Sequence, residues 1–206
     1  MKKARKCERK SESGGTNKNL FQMILIGFFI SFGGWIFETV THYVIHSDFA
    51  DRGFLTLPLC PIYGTSIVLI SYLLGTPQDL DGILEKKMMH LDKVKKALKN
   101  KILRVIIYFI TVTLLSTLTE LIIGVIFKLL GMPLWDYSEK PFNIFGVVCL
   151  SYSLLWGAMI TVFMALCWKP VEKLFSKIPK RTTFIASLTL LVATSIDFIV
   201  NLFEKL

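Results

Sequence analysis

The chain has 206 residues, 53% of them hydrophobic, a mean hydropathy of +0.57 and a formal charge of +9. So apolar a composition excludes an ordinary soluble domain. The positive charge sits between apolar runs rather than on one face, which points to membrane topology and away from nucleic acid.

Residues 1–18 are polar and basic around Ser-Glu-Ser-Gly-Gly-Thr and are expected to form a disordered cytoplasmic tail. They do not read as a cleavable signal, because the apolar run that follows is too long and no small-residue cleavage site comes after it. Residues 19–206 then read as a single transmembrane helical domain. Apolar runs at 20–46, 58–75, 105–130, 144–167 and 184–202 predict about five spans. Twenty of the 24 Lys and Arg fall in the tail, in the loop after the second run and in the loop after the fourth. The positive-inside rule therefore puts the N-terminus in the cytoplasm and the C-terminus outside. The fold class is all-α, a polytopic helical membrane protein.

In the cytoplasmic loop 84–104, Met88, Leu91, Val94, Leu98 and Ile102 recur at helical spacing with lysines between them. Such a helix suits an anionic lipid surface, and it equally suits a cytoplasmic partner. Residues 169–181 repeat the pattern on a smaller scale.

Three acids fall within the predicted spans: Glu38, Glu120 and Asp197. A charge inside the bilayer is costly and usually faces a cavity or a partner. At about 1.5 Å rise per residue, all three lie in the outer half, near the connection 52–64. That connection carries Arg52, Pro58, Cys60, Pro61, Tyr63 and two glycines, a shaped segment rather than a flexible spacer. One outer polar cluster is expected, with Arg52 as counter-ion to Glu38 or Glu120. The alternative is acids wetted near the head groups that only help helices pack. Glu38, His42 and His46 share a helix face at i, i+4, i+8, but no fourth zinc ligand is evident and no metal is expected. Cys60 as a nucleophile lacks a visible base and reads as structural. The four cysteines, Cys7, Cys60, Cys149 and Cys167, show no C-x-x-C spacing, and Cys149 and Cys167 read as packing residues. Gly33, Gly34 and Gly124 are candidates for close helix approach. Trp35, Trp135 and Trp156 suit an interfacial belt, with Trp168 at an inner helix end. A second outer loop holds Trp135, Asp136, Tyr137 and Ser138, followed by Pro141, Phe142 and Asn143; it either covers the polar cluster or merely packs on the bundle.

At these residues the chain resembles the putative ABC-transporter type IV family of bacterial membrane proteins. The matching pieces are Gly34-Trp35-Ile36-Phe37-Glu38, Arg52-Gly53-Phe54-Leu55, Pro58 through Gly64, Glu120, Gly124, Trp135 through Ser138, Pro141 through Ile144, Gly146 and Trp156-Gly157. Asp51 departs from the pattern, where Asn is expected. The resemblance implies a multi-pass protein of the bacterial plasma membrane with a transport role. The chain has no Gly-x-x-x-x-Gly-Lys-Ser/Thr phosphate loop, so an ATPase would be a separate chain, docked on residues 84–104. Five spans are few for a pathway, so a homo-oligomer is expected, with the lipid bilayer as the other partner.

The reading is therefore a permease-like transport component without a cofactor, whose polar site draws on Glu38, Arg52, Cys60, Tyr63, Glu120, Trp135, Asp136 and Asn143. Two rivals stand beside it. One is an intramembrane enzyme acting on lipid or envelope precursors, for which no catalytic motif is visible. The other is an accessory or sensor protein that signals through its basic loop.

Overall fold

The structure, a computed structural model, describes residues 20–49, 53–80 and 100–205. The basic tail, Arg52 and residues 81–99, which hold most of the basic loop, lie outside the described residues. The helices are α1 (Leu20–His46), α2 (Pro61–Leu73), α3 (Lys101–Leu129), α4 (Leu150–Leu166), α5 (Trp168–Phe175) and α6 (Lys180–Lys205). Strands β1 (Asn143–Ile144) and β2 (Val148–Cys149) form a short antiparallel hairpin before α4.

Local chemistry sets these boundaries. Pro61 opens α2, where its missing N–H costs no helical bond. Asn100 caps α3 by accepting from the Ile102 and Leu103 amides at 3.0 and 3.4 Å. Pro170 cannot donate to the carbonyl four residues back, and α4 and α5 meet there at a 55° bend.

Among the described residues, α1, α3 and α6 are long and apolar enough to cross a membrane, and the bent α4–α5 pair makes a fourth candidate. The second apolar run folds only as the 13-residue α2. That helix is about 20 Å long against a hydrocarbon core of about 30 Å. The described residues thus hold three to four helices of membrane length, with α2 a shorter apolar helix beside them.

Hydrogen bonds fix which helix ends lie together. Ser187 donates to the Phe21 carbonyl at 2.7 Å, Gln22 to the Glu172 carbonyl, Tyr108 to the Gly75 carbonyl at 2.8 Å and Gln78 to the Ala165 carbonyl. One end of the bundle therefore gathers the starts of α1, α3 and α6 with the ends of α2 and α4. Lys169 meets Asp79 at 3.1 Å on this end. Burial pushes the Asp79 carboxyl up, but hydrogen bonds from Thr76 and Lys169 outweigh it and hold it below its ordinary value. The main core, including Ile26, Ile70, Tyr108, Met164 and Trp168, lies toward this basic end. Trp168, at the end of α4 as expected, is only 1% exposed and packs into the core at the α4–α5 bend.

The opposite end holds residues 53–60, the hairpin and the end of α6. There Lys205 donates to the Phe54 carbonyl at 3.1 Å, and the Leu57 amide donates to Asp197 at 3.0 Å. α1 and α2 run antiparallel in very close contact. A Cβ on Gly64 would overlap the Gly27 carbonyl oxygen and Ser31 Oγ, and one on Gly34 would overlap the Tyr63 ring. Many large apolar side chains on α1, α3, α4 and α6 face outward, as lipid-facing helices require.

Candidate functional site

Between α1, α2, α3 and α4, under the 131–149 loop, lies a cavity of about 450 Å³. Its polar members come from distant parts of the chain: Glu38 on α1, Tyr63 on α2, Glu120 on α3, and Trp135 and Tyr137 from the loop. The rest of the wall is largely apolar, from residues such as Phe29, Ile67 and Phe163, with Trp156 on α4 between the two acids.

The Tyr63 hydroxyl donates to Glu38 Oε1 at 2.7 Å. The Tyr63 ring is also what fills the space left open at Gly34, so a missing Cβ on α1 positions the donor for an acid one turn further on. The Tyr137 hydroxyl donates to Glu120 Oε1 at 3.3 Å, and the Trp156 side chain faces the same carboxyl. Glu120 is 7% exposed, and its Oε2 has no hydrogen-bond partner. Trp156 packs edge-on against Tyr63 and Phe37, with ring centroids 5.5 and 6.1 Å away, and so bridges the two carboxyl-bearing halves.

The loop above is tied down as a cap. Trp135 donates to the Val147 carbonyl at 2.7 Å, and the Tyr137 amide to the Gly146 carbonyl at 2.7 Å. Tyr137 stacks on Tyr152 at 4.8 Å. Asn143 holds the turn with three bonds: Nδ2 donates to the Ser138 and Lys140 carbonyls, and Oδ1 accepts from the Gly146 amide. Phe142 and Phe145 take positive φ (54° and 56°) to make this turn, and Lys128 donates to the Phe145 carbonyl at 2.8 Å. Asn143→Ala should release all three contacts, each worth about 1 kcal/mol. Hydrogen exchange of the amides over 134–148 is then expected to quicken at least tenfold, with little change within α1.

The eight residues expected at the site divide. Glu38, Tyr63, Glu120 and Trp135 line the cavity together. Asp136 does not, although its neighbours Trp135 and Tyr137 both do. Asp136 instead accepts from the Ser138 amide at 2.9 Å and from its hydroxyl. Asn143 shapes the cap without lining the cavity. Cys60 is buried, 7% exposed, outside the lining, with its amide donating to the Ser31 carbonyl at 3.0 Å. Arg52 lies outside the described residues.

Asp197 also stands outside the lining. It holds the Leu57 amide and Asn201, which in turn reaches Thr56 at 3.0 Å. The intramembrane acids therefore form a cavity pair and a separate strut rather than one cluster. Of the small residues, Gly34 and Gly124 admit a neighbour closely, whereas Gly33 has nothing within 4 Å and opens onto the cavity. His42, His46 and Asp48 bring ligand atoms within 4.8 Å of one another at the end of α1, while Glu38 is turned to Tyr63. Tyr137 and Trp156 also line the cavity; from the sequence they read as a covering-loop residue and a belt aromatic rather than as site residues, and the signal was their place in the Trp-Asp-Tyr-Ser and Trp-Gly pieces.

The family described as Putative ABC-transporter type IV matches residues 25–202, which take in every element around the cavity. The chain belongs to this family. No curated protein and no solved structure matches it. Membership in the ABC-transporter type IV family, together with three to four apolar helices of membrane length, makes this a transport-associated membrane protein.

Proposed function

We propose that the chain is a permease-like component of a bacterial plasma-membrane transporter. Its substrate site is the cavity under the 131–149 cap, in the outer half of the bilayer. The observation that carries this reading is the convergence of Glu38 and Glu120 from α1 and α3 on one 450 Å³ cavity with fixed donors and aromatic walls. Intramembrane acids in such a setting are costly unless they serve a pathway or a ligand. Lys169, Lys173, Lys177, Lys180 and Arg181 sit at the opposite end of the bundle, which supports an inward basic end and an N-terminus inside. With α2 counted as a short span, five crossings and an outward C-terminus follow. An ATPase on a separate chain drives the cycle from the basic loop 84–104, and copies of this chain assemble as a homo-oligomer to complete the pathway.

Affinity purification of the tagged protein in mild detergent tests the partner. A stoichiometric ATPase, lost when residues 84–100 are replaced by a neutral linker, is the expected result. A homo-oligomer with no ATPase would rule out the powered form.

A further inference from the structure

The geometry points to a small organic cation, an ammonium compound with N–H donors, as what the cavity between α1, α2, α3 and α4 binds. This deepens the reading of that cavity as a substrate site and rests on it. Three observations favour a cation. First, the acid side chains that line the cavity are Glu38 and Glu120, and among the described lining residues there is no Lys, Arg or His to balance them. Second, one acceptor stays open although Tyr63, Tyr137 and the Trp156 side chain all face the two carboxyls. Tyr63 and Tyr137 each spend their hydroxyl proton on one carboxyl oxygen, and Glu120 Oε2, on a residue 7% exposed, has none. With Glu120 as a carboxylate, a bound anion or a plain acceptor leaves that oxygen unsatisfied, whereas an ammonium group brings two or three donors and a positive charge.

Third, the walls beside the acids are aromatic: Phe37, Tyr63, Trp135, Tyr137 and Trp156. Ring faces attract cations, and more strongly where water is excluded. The aliphatic remainder, Ile67, Met159 and Ile160 among others, suits the hydrocarbon part of such a molecule. A charged amine entering an apolar bundle loses its hydration, and two carboxyls with aromatic faces are what replaces it.

The test is calorimetric titration of the full chain in lipid nanodiscs with three probes of one shape: phenethylammonium, 2-phenylethanol and phenylacetate. Phenethylammonium is expected to bind at least tenfold more tightly than the alcohol, and phenylacetate not measurably. Glu120→Gln and Glu38→Gln should each weaken phenethylammonium at least tenfold while leaving alcohol binding within threefold. Gly33→Phe, placed where a side chain meets nothing within 4 Å, should fill the cavity and abolish binding of all probes without unfolding the bundle.

If the alcohol or phenylacetate binds as tightly as the amine, and Gly33→Phe still abolishes it, the cation inference falls and the substrate-site reading stands. If no probe binds, or if binding survives Gly33→Phe, the cavity is not the site and both readings fall. Melting temperatures of the three variants within a few degrees of the parent confirm that folding is intact.

Discussion

Gly64→Ala is expected to be among the most damaging single changes in the chain. The added Cβ would meet the Gly27 carbonyl oxygen and Ser31 Oγ. The first is helix backbone, and the second is itself tied to the Gly27 carbonyl at 2.8 Å. Neither can yield unless α1 and α2 part. Overpacking where side chains can adjust costs about 1–3 kcal/mol. A backbone neighbour removes that escape, so the loss here should exceed about 3 kcal/mol, a fall of roughly 10 °C in melting temperature. The separation of α1 from α2 would also pull Tyr63 from Glu38. Gly33→Ala is the control: it lies on α1, the other helix of the pair, with open space around it, and its effect should stay within about 1 kcal/mol. Thermal melting followed by size-exclusion chromatography in mild detergent compares the two. Equal melting temperatures would show that the close approach at Gly27 and Gly64 does not hold the pair together.

Trp156→Ala should do comparable harm by another route. Trp156 is the packing bridge between Tyr63 and Phe37, and it faces the Glu120 carboxyl. Trp156 is half-buried, so truncating it should cost about 3 kcal/mol, the low end for a large aromatic whose space does not refill. Trp156→Phe keeps a ring against Tyr63 and Phe37 and removes the indole N–H. Its stability loss should stay below about 1.5 kcal/mol. The same Phe variant should nonetheless weaken phenethylammonium binding several-fold, because indole is the better cation–π face. Stability and binding are thus expected to separate in the Phe variant and to fall together in the Ala variant. A Phe variant that lost stability as far as the Ala variant would show that the indole N–H, rather than ring packing, is what the bundle needs there.

Long apolar runs are local information, because their length is compared with a fixed bilayer thickness. α1 accordingly runs Leu20–His46, the span read directly from the residues, and α3 and α6 overlap the third and fifth runs. The helix starts are local too, Pro61 opening α2 and Asn100 capping α3, but Asn100 falls inside the stretch 84–104 that the periodicity reads as a loop helix. Hydropathy could not reveal that residues 144–149 leave the helix. The hairpin exists because Asn143 bonds across its own turn and Gly146 takes a φ of 67°. The fourth run therefore starts its helix only at Leu150. Nor could a linear pattern say which acids meet. Glu38 and Glu120 share a cavity because α1 pairs with α2 at Gly27, Gly34 and Gly64, while α3 pairs with α4 where Gly157 admits Thr113. Asp197, at similar depth on its own helix, faces the 53–60 segment and becomes a strut. Within the loop, neighbours in sequence part company: Tyr137 turns in to Glu120, and Asp136 turns out to Ser138. Residue type and span length, then, were properties of the sequence alone. Which polar groups converge was decided by helix rotation and close packing, and these depend on contacts between residues far apart in the chain.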